Sequence, residues 1–293
     1  MAASDPALLP AQFGLLRCAG CGTAVTEGHG PAELYETGAY RPGTPRLHRL
    51  VAPLLSLFDR QRLALLRPLV GPPARLLDVG AGRGRFVLAA RAAGYEASGI
   101  EPSARGAEAA AATGAPVQRM ALEQAQIEPG SLDAVTLWHV LEHLDDPGPA
   151  LERIAGWLAT GGGLLIGVPN LASLQARLGG ERWYHLDVPR HRTHFTAQGL
   201  HWLLSGTGFS VLHTHHLLLE HNPFGMWQTL LSRATSHPSY VYNVLKRNAP
   251  VRSPDLAMAV AAIPLAPVAT ALELAAGLGR RGGTVAVLAG RDA

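Results

Sequence analysis

The chain of 293 residues is 47% hydrophobic and 16% charged, enough apolar material for the core of one large α/β domain, which excludes a disordered chain. Its formal net charge of +3 rests on arginine, with Lys246 the only lysine, and the basic pairs Arg190/Arg192, Lys246/Arg247 and Arg280/Arg281 are scattered. Binding along a phosphate backbone needs clustered positive charge, so nucleic acid is not the expected partner.

Met1 to Pro6 lack a basic stretch leading into an apolar core, which argues against a secretory signal. Residues 1–45, rich in glycine and proline, read as a loop-rich entry segment. Within it Cys18-Ala19-Gly20-Cys21 forms a knuckle that presents two thiols. Tetrahedral zinc needs four ligands, no second cysteine pair exists, and neither His29 nor His48 has a convincing spacing. Zinc is therefore not expected, and the alternative is a tight turn with two reduced thiols, which fit a cytoplasmic location. From Arg46 to Val70 apolar residues recur at helical spacing through Leu50, Leu54, Leu57, Leu65 and Leu69, with Pro53 expected to start or break the helix.

Next comes the most informative stretch, Leu76-Leu77-Asp78-Val79-Gly80-Ala81-Gly82-Arg83-Gly84. An apolar run of strand length enters a turn whose glycines can take positive φ and let a ligand approach the main chain. A helix from Phe86 to Ala93 follows, and Glu101 ends a second apolar run about twenty residues after the first glycine, where a βαβ unit places the carboxylate for a ribose. The dinucleotide fingerprint needs a third glycine at position 85, which is Arg85. Asp78 ends an otherwise buried strand and needs a partner there, which a cationic or hydrogen-bond-donating ligand would supply.

Further strands are expected at 95–100, about 116–120, 132–138 and 163–168, alternating with helices such as Ala150 to Leu158, with Gly161-Gly162-Gly163 turning into the fifth strand. The order Asp-Val-Gly-Ala-Gly-Arg-Gly, Gly99-Ile100-Glu101-Pro102-Ser103, then Trp138-His139-Val140-Leu141-Glu142-His143 resembles class I S-adenosylmethionine (SAM) dependent methyltransferases. The segment Pro189-Arg190-His191-Arg192-Thr193-His194-Phe195 is similar to a region of a subgroup of that family that modifies small molecules or sugars. The resemblance covers about residues 74–216. It implies a Rossmann-like α/β fold whose seven-stranded sheet carries helices on both faces and closes with an antiparallel strand. Phe209 to His215 and Thr284 to Leu288 are the candidates for its last two strands. It also implies SAM as cofactor, with Asp78 and Gly80 near the methionine end, Gly82 and Gly84 allowing backbone approach, and Glu101 on the ribose. Glu123 falls where the family often has an acid near the adenine amino group, although Ala121 and Leu122 depart from the family pattern. Trp138 either stacks on the ligand or packs in the core, and His139 contacts cofactor through its backbone. Some such enzymes carry an N-terminal zinc ribbon, of which Cys18 and Cys21 read as a half-ribbon remnant.

The expected organisation is an entry segment over 1–45, a SAM-binding core with its helical cover over 46–216, an apolar helical insertion over 217–282, and a final core strand with tail over 283–293. Within the insertion, Leu256 to Leu278 is almost wholly apolar with Glu273 as its one charge, but Pro264 and Pro267 interrupt it and the last strand must return to the sheet. Two short buried or interfacial helices are expected, with peripheral contact to a membrane or lipid-linked substrate as the alternative to burial. Leu217 to Trp227 is read as part of an acceptor pocket or a dimer contact. The oligomeric state is left open.

Methyl transfer requires an aligned nucleophile and, where that nucleophile carries a proton, a base. Histidine suits the task, its pKa lying near neutrality. His191 is preferred, with Asp187 or His194 orienting it. His143, one turn beyond His139 and able to face the acceptor, is a further candidate. A metal at His185, His191 and His194 is disfavoured for want of an acidic ligand at helical spacing. The expected function is methylation of oxygen, nitrogen or carbon on a small molecule, such as a sugar, a lipid-linked intermediate or a secondary metabolite. A nicotinamide-dependent oxidoreductase and a non-catalytic SAM-binding scaffold are the alternatives.

Overall fold

The computed structural model of the chain describes residues 13–30, 48–245 and 249–292. Much of the entry segment, the side chain of His48 and the Lys246/Arg247 pair lie outside the described residues. Two short strands, β1 (Leu15–Arg17) and β2 (Ala24–Thr26), form an antiparallel hairpin around the Cys18/Cys21 knuckle. After helix α1 (His48–Leu66), strands and helices alternate: β3 (Arg75–Val79), α2 (Arg85–Ala92), β4 (Glu96–Glu101), α3 (Ala104–Ala111), β5 (Val117–Arg119), β6 (Leu132–Trp138), α4 (Pro147–Trp157) and β7 (Leu158–Pro169). The short elements α5 (Leu174–Gly179) and β8 (Thr193–His194) lead to α6 (Ala197–Ser205) and β9 (Phe209–His215). Four helices, α7 (Asn222–Leu231), α8 (Tyr240–Leu245), α9 (Ser253–Ala261) and α10 (Ala266–Leu278), precede the last strand, β10 (Thr284–Arg291).

The main sheet has seven strands in the order β5-β4-β3-β6-β7-β10-β9, with β10 antiparallel to both of its neighbours and the β5-to-β7 half parallel. It is the expected Rossmann-like α/β sheet with a final reversed strand. Alternation along each strand divides the core. Leu77, Val135, Ile166 and Val287 face α4 and α6, while Leu76, Leu165 and Leu288 pack with Phe86, Val87 and Leu66 of the opposite layer. Strand order reverses between β3 and β6, which opens a crevice beyond their carboxyl ends.

Three local expectations are corrected. The cover helix α1 runs through Pro53 instead of breaking, because one missing N–H in an early turn is outweighed by burial of Arg62, Leu63 and Leu66 farther along. The glycines 161–163 are not a turn before the fifth strand. They lie inside β7, where pairing shifts from Leu132↔Leu158 to Ala134↔Gly163 and Gly161 takes φ +78°. The apolar stretch 256–278 is buried on one side only: Leu256, Met258, Val260, Ile263, Leu265 and Val268 are exposed, because the inward positions of α9 and α10 are the small or polar Asp255, Ala259, Ala269, Glu273 and Ala276. By length and composition Ser253–Leu278 is long and apolar enough to cross a membrane, and 22% of its most apolar window is buried.

Candidate functional site

Strand β3 delivers Gly80, Gly82 and Gly84 in left-handed conformations, with φ of 71°, 55° and 71°. A Cβ on Gly80 would meet Val140 Cγ2 at 2.4 Å, and one on Gly84 would meet Ala115 Cβ at 2.3 Å, so those two glycines also serve close packing. Across the crevice, buried Glu101 at the end of β4 accepts from Gly82 N at 2.9 Å and from Ser103 N at 3.0 Å. Burial pushes its carboxyl up, against those two hydrogen bonds. Beside it, Pro102, Arg119, Met120, Ala121 and Gln124 line an open pocket of about 490 Å³ at the ends of β4 and β5. Glu123 is exposed on a 3-10 turn and is not among the lining residues, whereas its neighbour Gln124 is.

Asp78 has protein partners, contrary to the expectation that a ligand must supply them. Thr136 Oγ1 donates to it at 2.6 Å, and Arg62 Nη1 from α1 lies 4.0 Å away. Burial still pushes the Asp78 carboxyl up, against Arg62 and Thr136. Arg62 belongs to a buried network that sequence reading missed: it pairs with Glu220 at 3.3 Å, and Arg85 pairs with Glu220 at 2.9 Å and with Asp59 at 3.3 Å. Burial alone would raise Glu220, but Arg62, His221 and Arg85 hold it down to about 2. Arg62 also stacks over the rings of Phe86 and Trp138, at 4.4 and 4.6 Å from their centroids. Trp138 in turn packs on β7, where a Cβ at Gly167 would meet its ring at 2.6 Å. The network ties the cover helix and the insertion to the mouth of the crevice.

The other half of the site is a histidine cluster. His139, immediately after β6, takes φ +55°. This breaks the expected helical pairing with His143, which sits in the 3-10 turn Leu141–His143. His139 Nδ1 donates to the buried Glu142 carboxylate (Oε1) at 3.0 Å, and its Nε2 is buried with no partner among the described residues. The ring stacks against His185 (centroids 5.8 Å, interplanar angle 3°) and meets His221 edge-on at 5.1 Å. His185 Nε2 is likewise buried and without a partner, and burial holds that ring well below the usual histidine range.

His143, His191 and Asp187 converge, but not as expected. Asp187 is gripped by Arg190, whose Nε lies 3.1 Å from each carboxylate oxygen, and its Oδ2 is 3.9 Å from His191 Nε2. It therefore does not orient His191 by a hydrogen bond. His191 Nδ1 instead donates to His185 O at 2.8 Å, and burial pushes the ring down to about 4. His194 does not orient it either. It lies in β8, which extends the β1–β2 hairpin into a three-stranded sheet, and its Nε2 donates to Thr26 Oγ1 at 2.9 Å. Burial pushes His194 down to about 3. The knuckle packs on the same region, with Cys21 O accepting from Thr196 Oγ1 at 2.7 Å, and Cys18 and Cys21 are free thiols. The entry hairpin is thus built into the wall behind the site. His213 and His215 lie on β9, at the edge of the sheet.

A family model described as a methyltransferase domain matches residues 49–214, more than half of the chain. The chain belongs to that methyltransferase family. Comparison with curated proteins gives no match. Among solved structures, a SAM-dependent methyltransferase from Thermotoga maritima is similar at TM-score 0.52 and 21% identity, covering 84% of this chain and 98% of that one. A SAM-dependent methyltransferase from Mesorhizobium loti gives TM-score 0.50 and 17% identity over 80% and 97% of the two chains. SpnF, described as a [4+2]-cyclase, gives 0.52 and 21% over 86% and 99%. These likenesses are of fold, and the cyclase among them is a reminder that one fold hosts more than one chemistry.

Membership in the methyltransferase family implies SAM as cofactor. The residues fit it: a backbone N–H at left-handed Gly82 and the Glu101 carboxylate meet beside an open pocket at the strand ends. The matched region ends before Glu220 and His221, so part of the candidate site lies beyond it.

Proposed function

We propose that this methyltransferase methylates an oxygen or nitrogen of a small acceptor, with His139 as general base. The observation that carries this reading is the pair of His139 and Glu142: one ring nitrogen is held by a buried carboxylate, and the other faces the histidine cluster without a partner. When bound, SAM supplies a methyl group on a good sulfonium leaving group. His139 Nε2 takes the acceptor proton as the new bond to carbon forms, and Glu142 stabilises the imidazolium that results. His185 and His221 bound the space beside that ring, and Glu101 with the glycine loop holds ribose and methionine. The predicted signature of His139→Ala is a fall in kcat of roughly a hundredfold to ten-thousandfold, with SAM affinity by calorimetry unchanged. A variant with undiminished kcat removes His139 as base. SAM that binds but stays intact with every acceptor screened supports the scaffold reading instead.

The exposed apolar face of α9 and α10 favours a second element of this reading, a membrane-peripheral enzyme acting on a lipid-linked acceptor. Arg252, Arg280 and Arg281 are exposed at the two ends of that face and match an anionic surface. The full chain is expected to cosediment with phosphatidylserine vesicles more than with phosphatidylcholine vesicles, and Val260→Glu with Leu265→Glu to abolish it. Failure to cosediment with either vesicle returns the acceptor to the soluble class.

A further inference from the structure

His143 and His191, which the proposed base chemistry does not use, gather with Glu142 in one constellation. One ligand-type atom from each lies within 4.8 Å of the other two. The tautomers follow from hydrogen bonding: His143 Nδ1 faces Arg190 O at 3.0 Å and His191 Nδ1 faces His185 O at 2.8 Å. A carbonyl only accepts, so both Nδ1 atoms carry the proton and both Nε2 atoms keep a lone pair. The two rings meet edge-on with centroids 4.7 Å apart. Glu142, 1% exposed, has Oε1 on His139, and its Oε2 is buried with no hydrogen-bond partner among the described residues.

Each of the three residues therefore has an electron pair to offer, the two imidazoles at Nε2 and Glu142 at an anionic oxygen, a set that suits a cation or a shared proton. Nearby, Asp187 Oδ2 lies 3.9 Å from His191 Nε2, with Arg190 balancing its charge. Imidazoles whose Nδ1–H is held by a backbone carbonyl are the usual outer support of metal-binding histidines.

We propose that Glu142 Oε2, His143 Nε2 and His191 Nε2 bind a divalent first-row transition metal. Two imidazoles and one carboxylate suit ions of zinc's class, and three protein ligands leave a position open for water or an oxygen donor on the acceptor. The pairing was hidden in the sequence because the acid and His143 are adjacent in a 3-10 turn, whereas His191 comes from the loop before β8.

The test uses the full chain carrying Cys18→Ser and Cys21→Ser, which removes the competing thiolates. The protein is stripped with a chelator and titrated with Co²⁺ without SAM or acceptor, recording visible absorption. One equivalent of cobalt with ligand-field bands is expected. Affinity should fall at least tenfold in both His143→Ala and His191→Ala and stay unchanged in His213→Ala, whose ring is on the sheet edge. Circular dichroism establishes that each variant is folded. If a histidine variant unfolds, Glu142→Gln is titrated in its place, and it too must lose the bands. A folded parent that binds no cobalt overturns the proposal and leaves a shared proton as the occupant. Undiminished binding in folded ligand variants overturns it as well. Because the readout is metal binding alone, a failure of methyl transfer does not affect it.

Discussion

From Asp78 to Glu101 one strand–loop–helix–strand unit carries the glycine loop and the acid proposed to hold the ribose, whereas the histidine side draws on four separate segments. His139 and Glu142 follow β6, His185 and His191 come from the loop before β8, Glu220 and His221 from the insertion, and Arg62 from the cover helix. The first half is positioned by local backbone geometry. The second is held by long-range ion pairs and ring contacts, so it is the half whose geometry a distant substitution can disturb. In the proposed reading, the cofactor side is set within one βαβ unit, whereas the acceptor side depends on what distant segments deliver.

Substitutions sharpen this contrast. The largest effect is expected at Glu220, whose loss leaves Arg62 and Arg85 short of a buried counter-charge. Glu220→Ala should destabilise the fold by about 3 kcal/mol, read from denaturant midpoints, the usual cost of removing one partner of a buried pair. If it costs less than about 1 kcal/mol, as exposed pairs do, the insertion is not fastened through this network. On the cofactor side, Glu101→Ala should weaken SAM binding by roughly 1.5–3 kcal/mol, the worth of hydrogen bonds to a charged group, while kcat at saturating SAM changes little. A variant that keeps its SAM affinity and loses kcat would reverse the assignment of the two halves.

The smallest effect concerns the joint between insertion and sheet. Glu273 is buried, accepts from Gln175 Nε2 at 2.7 Å and from Gly283 N at 2.7 Å, and burial pushes its carboxyl up to about 7, against those two bonds. Because the folded-state value lies above the ordinary 4.5, the neutral form's contribution is complete below that value and is lost as pH rises through about 7. Stability should fall by about 2 kcal/mol between pH 5 and pH 8 from this group. Glu273→Gln should flatten that part of the stability profile, and an unchanged slope assigns the pH dependence elsewhere.

Much of the fold was legible because hydrophobic period and punctuation are local. Gly80, Gly82 and Gly84 with Glu101 marked the β3–β4 unit, and the reversed last strand came with the resemblance. Where reading went astray, tertiary contacts overruled a local rule. Pro53 stayed in a helix whose far end is buried, Gly161 became part of an irregular strand, and large apolar residues of α9 and α10 turned outward because small and polar ones fill the inner face. Among the candidate bases, the spacing of His191 and His194 suggested one polar cluster. The structure puts His194 into a small sheet with the entry hairpin and turns attention to His139, whose left-handed backbone and carboxylate partner have no signature in spacing.

What the sequence alone determined is the cradle, because its glycines and acid act through backbone conformation within a single βαβ unit. Only the tertiary structure decided which histidine is free, which acid holds it and which rings keep their lone pairs, because burial, tautomer and hydrogen-bond partner depend on chain segments far apart in sequence.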